Sequence, residues 1–225
     1  MAGTVTVANS IIAKGKYWSA DVPAYTYDID KAKQILEDNN AVGTELRLGY
    51  IVPNPRRESE AQLIVDACGP KGAGFDVKDE GDKTFFNADG ALVTGNFDVA
   101  LFAWTGSPLV TGSSAIYTTD GGSNYGNYSN KKVDALTAQL NKTTDPDQQV
   151  QVITQIETIL WNDLATIPAF AFPGIVAYDA NATGVEYNAT QSGLTWNMED
   201  WSLAGEFPFS GSANEAMFSP DGRLQ

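Results

Sequence analysis

Histidine is absent from the 225 residues, and cysteine occurs once. Without histidine the chain lacks the commonest general base and metal ligand at neutral pH. Neither a Ser–His nor a Cys–His nucleophile pair can be assembled from it. The lone cysteine, Cys68, excludes an intrachain disulfide. It falls on the apolar spacing Ala61, Ile64, Val65, Cys68, which predicts a buried thiol and not a reactive one. Long apolar runs are also missing: Ile11-Ile12 leads within two residues to Lys14, far short of the ~18 residues of a membrane span. The start, Met1-Ala2-Gly3-Thr4-Val5, has neither the basic region nor the apolar stretch of a secretory signal. The sequence therefore reads as a soluble chain or the soluble part of a longer one. Bases are scarce, 14 against 28 acids, for a net charge of -14. Such a charge repels nucleic acid and anionic lipid. The acids are scattered along the chain, as on a solvated surface.

What is there is a packed globular composition, 43% hydrophobic and 19% charged. Residues 1–27 read as an irregular lead-in rich in aromatics. Asp28 then caps a helix carrying Ile29, Ala32, Ile35 and Leu36 at helical spacing. Leu46, Leu48, Tyr50 and Val52 alternate as a strand that Pro53 and Pro55 end. A helix over 57–68 follows, broken by Gly69-Pro70, and Phe75-Asp76-Val77 begins a second strand. Strand, helix and strand in this order predict a parallel βαβ unit. A short amphipathic segment is expected over 84–93. The run Phe97 to Trp104 is nearly all apolar, as for a strand buried on both faces. It stops at Thr105-Gly106-Ser107-Pro108, and a long polar loop over 111–130 comes next. Two helices complete the pattern. One spans 131–140. The other opens with Asp145 as cap and Pro146 at the first helical position, and Pro168 ends it. Residues 169–172 and 175–178 read as strands. The fold class is α/β, a mixed sheet flanked by helices.

Three segments in order resemble the peptide/nickel/oligopeptide-binding family of ABC-transporter solute-binding proteins (family 5). Tyr27-Asp28-Ile29-Asp30-Lys31-Ala32 through Ile35-Leu36 is similar to that family's "YD-x-x-KA-x-x-LL" helix. Gly95-Asn96-Phe97-Asp98 through Trp104 is similar to its "G-x-FD…GW" strand. Asn127-Tyr128-Ser129-Asn130, Val133 to Leu136, Ile156 to Leu160 and Ile167-Pro168 are similar to its C-terminal pattern. The resemblance covers about residues 1–203 and implies one lobe of a periplasmic-binding-protein type II fold, the C-terminal part of a longer receptor. Residues 204–225 read as a C-terminal extension. The missing N-terminal part would carry a lipid anchor, and with it the only membrane attachment.

The resemblance places Trp104 at the ligand cleft, with Thr105, Gly106 and Ser107 beside it. The position alone fits, because ligands of open α/β sheets collect at the C-terminal ends of strands. A core tryptophan is the other reading. Ser107 departs from the family, where peptide binders often carry Asp to pair with the ligand's amino terminus. Leu101 stands where some members carry Arg. Asn124, Tyr125 and Tyr128 suit hydrogen bonding or stacking, though their types are also ordinary for a loop. Asp98 and Trp161 read as structural. The sequons at Asn127, Asn141, Asn181 and Asn188 matter only in a eukaryotic secretory host.

The resemblance implies reversible capture of a small solute, a peptide first and a sugar second, at the outer face of a bacterial membrane or in the periplasm; the patterned elements and the acidic surface predict a monomer. Delivery to ABC permease subunits would follow. It implies no catalytic residue, no metal and no cofactor. Two rivals remain on composition: a two-carboxylate glycoside hydrolase, which needs no histidine, and a surface adhesion module.

Overall fold

The structure, a computed structural model, describes residues 6–7, 11, 26–107, 109–172, 175–188 and 190–203. The 204–225 extension and nearly all of the lead-in lie outside the described residues.

A parallel sheet and a helical layer carry the fold. Strand β1 (Thr6–Val7) precedes helix α1 (Ile29–Asp38), whose first turn is closed by the Asp28 carboxylate accepting from the Lys31 N–H at 2.9 Å. Strand β2 (Glu45–Ile51), helix α2 (Pro55–Cys68) and strand β3 (Asp76–Asp82) form the expected βαβ unit. Strand β2 is central. It pairs in parallel with β3 along its whole length, and on its other edge with β4 (Val99–Leu101), Leu48 opposite Val99 and Tyr50 opposite Leu101. Alternation sends Leu48 and Tyr50 to one face. There they are buried with Ala61 of α2, among Val52, Ile64, Val65, Val77, Val99 and Leu101. Gly49 points the other way, and a Cβ there would come within 2.9 Å of the Phe85 ring. The missing side chain lets the buried Phe85 ring lie against the strand.

The second core is helical. A 3₁₀ turn (Val110–Ser113) runs into α4 (Ser114–Tyr117); the short α3 (Ala91–Thr94) comes earlier, before β4. Helices α5 (Lys131–Leu140) and α6 (Pro146–Asn162) then pack together through Val133, Leu140, Val152, Ile153, Ile156 and Leu160, with Val110 and Tyr117 completing the cluster. Asn130 caps α5 by accepting from Lys132 N–H, and Asp145 caps α6 by accepting from Gln148 N–H. The chain then forms β5 (Phe170–Ala171), which pairs antiparallel with β1, and the antiparallel pair β6 (Ala182–Thr183) and β7 (Ser202–Leu203). A 3₁₀ segment, Leu194–Asp200, lies between them. No described helix is long and apolar enough to cross a membrane.

Several expectations need correction. The run Phe97 to Trp104 is a strand only over Val99–Leu101, and these residues are half-buried. Among the described residues β4 is the edge strand of the sheet, and none of its three residues is fully buried, so its apolar composition is not matched by cover. Residues 175–178 form no strand, and the strand expected over 169–172 shrinks to Phe170–Ala171. The loop from 111 is helical in its first part because Val110 and Tyr117 turn into the core of α5 and α6. Of 84–93, only residues 91–93, the start of α3, are helical. Helix α6 ends at Asn162, not at Pro168, because Leu164 adopts a left-handed φ of 53°. Cys68 is half-buried, and that burial raises its thiol pKa.

Candidate ligand site at the rim of the parallel sheet

The C-terminal ends of β3 and β4 lie on the same rim of the parallel sheet, and aromatic side chains collect there. After β3 the chain turns at Asp82, whose carboxylate accepts from the Thr84 N–H and hydroxyl. Those bonds lower the Asp82 pKa. Phe85 and Phe86 follow, their rings edge to face at 5.0 Å. After β4 come Phe102 and Trp104, again edge to face at 5.1 Å, and Phe86 reaches Phe102 at 6.3 Å. Tyr125 arrives from the loop before α5. Its ring lies within 10° of parallel to Trp104, centroids 6.3 Å apart, and Phe102 stands across both. Phe85 is buried, whereas Phe86 is 49% and Trp104 41% exposed. Edge-to-face and offset contacts of this kind each contribute about 0.5–1.5 kcal/mol beyond area burial. The row of rings is therefore held in place while part of it faces solvent.

The two tyrosines and the asparagine of the loop have different tasks. The Asn124 amide donates to the carbonyls of Thr118 and Tyr128, and its oxygen accepts from the Tyr128 N–H at 2.9 Å. That ring of bonds closes the loop and presents the neighbouring Tyr125. The Tyr128 hydroxyl donates to Asp163 at 2.6 Å, beside the Asn130 amide donating to the same oxygen. Burial and this bond raise the Tyr128 pKa, and the same bond lowers that of Asp163. Asn124 and Tyr128 are thus spent on the scaffold of the loop. Trp104 and Tyr125 are brought side by side with their rings nearly parallel. Thr105 is exposed next to Trp104. Gly106 bridges to Thr190, and its carbonyl accepts from Gln191 N–H at 2.9 Å. The Ser107 hydroxyl accepts from Leu109 N–H at 3.2 Å and folds back on the 3₁₀ turn.

Phe86, Phe102 and Thr190 were not singled out by sequence reasoning. Phe102 was legible: it stands two residues before Trp104, and in extended chain such residues share a face. Phe86 and Thr190 carry no local signal, since their place depends on the turn after β3 and on the returning chain.

Asp98, just before β4, is 43% exposed and serves a structural pairing. Its two oxygens receive a fork from Arg47, at 2.9 Å from Nε and 3.0 Å from Nη2, and one of them also accepts the Arg47 N–H. These bonds hold the Asp98 pKa at about 2. Among the described residues no group of His, Cys, Asp or Glu could hold a metal ion.

The parallel βαβ sheet with its flanking helices makes this an α/β domain. The chain belongs to the bacterial extracellular solute-binding proteins, family 5: the model of that family's middle part matches residues 1–127. It is 32% identical to an uncharacterized lipoprotein of Mycobacterium tuberculosis over 171 residues, which are 72% of this chain and 30% of that protein. It is 26% identical to the oligopeptide-binding protein OppA of the same species over 131 residues, 58% of this chain and 22% of OppA. Its fold matches that of the oligopeptide-binding protein AppA of Bacillus subtilis, solved in complex with a nonapeptide. The TM-score is 0.66 at 21% identity, over 90% of this chain and 43% of AppA. The fold is thus of the periplasmic-binding-protein type II kind. The chain spans under a third of the length of the curated lipoproteins it matches.

Proposed function

We propose that this chain is the ligand-contacting lobe of a solute-binding protein that captures short peptides outside a bacterial membrane and hands them to an ABC permease. The observation that carries this reading is the exposed Trp104 ring parallel to Tyr125 at the C-terminal rim of the sheet. Open α/β sheets bind ligands at that rim. Relatives named as oligopeptide-binding proteins supply the ligand class.

In this reading residues 1–203 form the lobe and 204–225 an extension. A lipid anchor elsewhere in the full-length protein holds it at the membrane, and the protein acts as a monomer. The ligand leaves unchanged: binding and hinge closure, not bond breaking, do the work. Thr105 to Ser107 lead the chain from the contact ring toward the segment around Thr190, so ligand and returning chain meet at one edge.

A single lobe encloses only part of a ligand, while association still costs several kcal/mol of lost freedom. Peptide affinity of this chain alone is therefore expected at about 0.1–10 mM. Saturation-transfer NMR with short peptides measures it, with the Trp104→Ala variant as control. Signal that disappears in the variant supports the site. Sub-micromolar binding by this chain alone would defeat the single-lobe reading, and unchanged binding by the variant would move the site elsewhere.

A further inference from the structure

We propose that the Trp104–Tyr125–Phe102 ring set seats a positively charged side chain of the ligand, so that the receptor prefers peptides carrying arginine or lysine. This rests on the peptide-binding reading above and adds the charge of the group that lies on the rings.

Two observations carry it. The first is geometric. Trp104 and Tyr125 lie within 10° of parallel, and Phe102 is set across both at 71° and 80°. The Asn124 hydrogen bonds fix the Tyr125 side of this arrangement, and Trp104 stays 41% exposed. Aromatic faces are the negative ends of their quadrupoles, and tryptophan attracts cations best. The second lies in the sequence. From Thr84 through Asn130, the stretch that supplies Phe85, Phe86, Phe102, Trp104 and Tyr125, there is no lysine or arginine. Its charged residues are Asp89, Asp98 and Asp120. From Thr143 through Gly222, which holds the Thr190 segment that meets Gly106, there is again no base. A ligand carboxylate thus finds no cation on the two stretches that carry the rings and the Thr190 segment, and the bases at the start of α2, Arg56 and Arg57, are paired with Glu60. A ligand cation finds ring faces within a chain of net charge -14. The flanking Lys83 is exposed on the turn after β3, and Lys131 opens α5.

The test compares three end-blocked tripeptides, N-acetylated and C-amidated, with a central arginine, citrulline or glutamate. Citrulline keeps the planar shape of arginine without its charge. Saturation-transfer NMR on the full chain gives the three affinities. The arginine peptide is expected to bind about 2- to 5-fold more tightly than the citrulline peptide, the range of an exposed cation–π contact. The glutamate peptide is expected to bind most weakly. Trp104→Phe keeps part of the arginine preference. Trp104→Leu, which retains an apolar contact but no quadrupole, abolishes it. Equal binding of arginine and citrulline peptides, a preference for glutamate, or an arginine preference surviving in Trp104→Leu overturns the inference and leaves the peptide-binding reading standing. Absence of binding by all three peptides at about 10 mM, the weak end of the range expected for a single lobe, overturns both.

Discussion

The helical layer and the rim of the sheet treat similar residues in opposite ways. In the helical layer Val133, Ile153 and Leu160 are fully buried, and the cluster closes over them with Tyr117 and Val110. At the rim, the larger rings of Phe86 and Trp104 are left half in solvent. Burial of a large apolar side chain is worth about 1.5–3 kcal/mol, so the helical layer holds stability that the rim forgoes. A surface that keeps rings in fixed mutual contact without covering them is suited to exchanging solvent for ligand. If the proposed site is right, stability and binding fall to different parts of one chain, and substitutions should separate them.

The largest effect on stability is expected in the helical layer. Ile153→Ala should cost about 2–5 kcal/mol, through lost transfer energy and the cavity left behind. Urea unfolding followed by circular dichroism measures it. A loss under 1 kcal/mol would mean that the layer is not the stable half. Next is Asp145→Ala, which removes the acceptor for the Gln148 N–H at the start of α6. A loss of about 1 kcal/mol is expected, seen as a lower urea midpoint with an unchanged slope.

A smaller effect, gated by pH, belongs to Asp98 on the sheet side. Its pKa of about 2 lies below the ordinary carboxylate value of about 3.9. A depressed pKa stabilises the fold above the ordinary value, and the contribution is lost as pH falls through the depressed one. Wild type should therefore lose stability relative to Asp98→Asn between about pH 4 and pH 2. Urea midpoints of both chains across that window would show it, and parallel curves would remove Asp98 from the account. Since the pair is exposed, only part of this shift reaches folding stability.

Trp104→Ala should cost less than the core substitution, about 1–2 kcal/mol through its contacts with Phe102 and Tyr125, because the ring is partly solvated. Peptide binding should nevertheless disappear. A melting temperature lowered by some 10 °C with binding retained would identify Trp104 as core, and the contrast between rim and helical layer would collapse.

Legibility in the sequence followed the range of the forces involved. Asp28, Asn54, Asn130 and Asp145 all cap helices, because a short polar side chain reaches an N–H two or three residues ahead whatever the rest of the chain does. The βαβ unit and the bounds of α5 were likewise readable, since period and breakers are local. Trp104 could be placed at a strand end for the same reason. What it touches could not: Tyr125 is 21 residues further on, and only the Asn124 clip together with the Tyr128–Asp163 strut brings the two rings together. The apolar run from Phe97 promised a strand buried on both faces, yet cover is a property of neighbours, not of composition. Leu164 shows the same limit from another side. Nothing about leucine favours a left-handed φ, yet exposed Leu164 adopts it in the turn that ends α6, where Leu164 N–H and Ala165 N–H donate back to the carbonyls of Trp161 and Leu160. The elements, the caps, the excess of acid and the absence of imidazole chemistry follow from residue type and near neighbours. Tertiary structure alone decided which rings meet, which remain in solvent and which polar groups are spent on holding the loop, because those outcomes depend on contacts between residues distant in the chain.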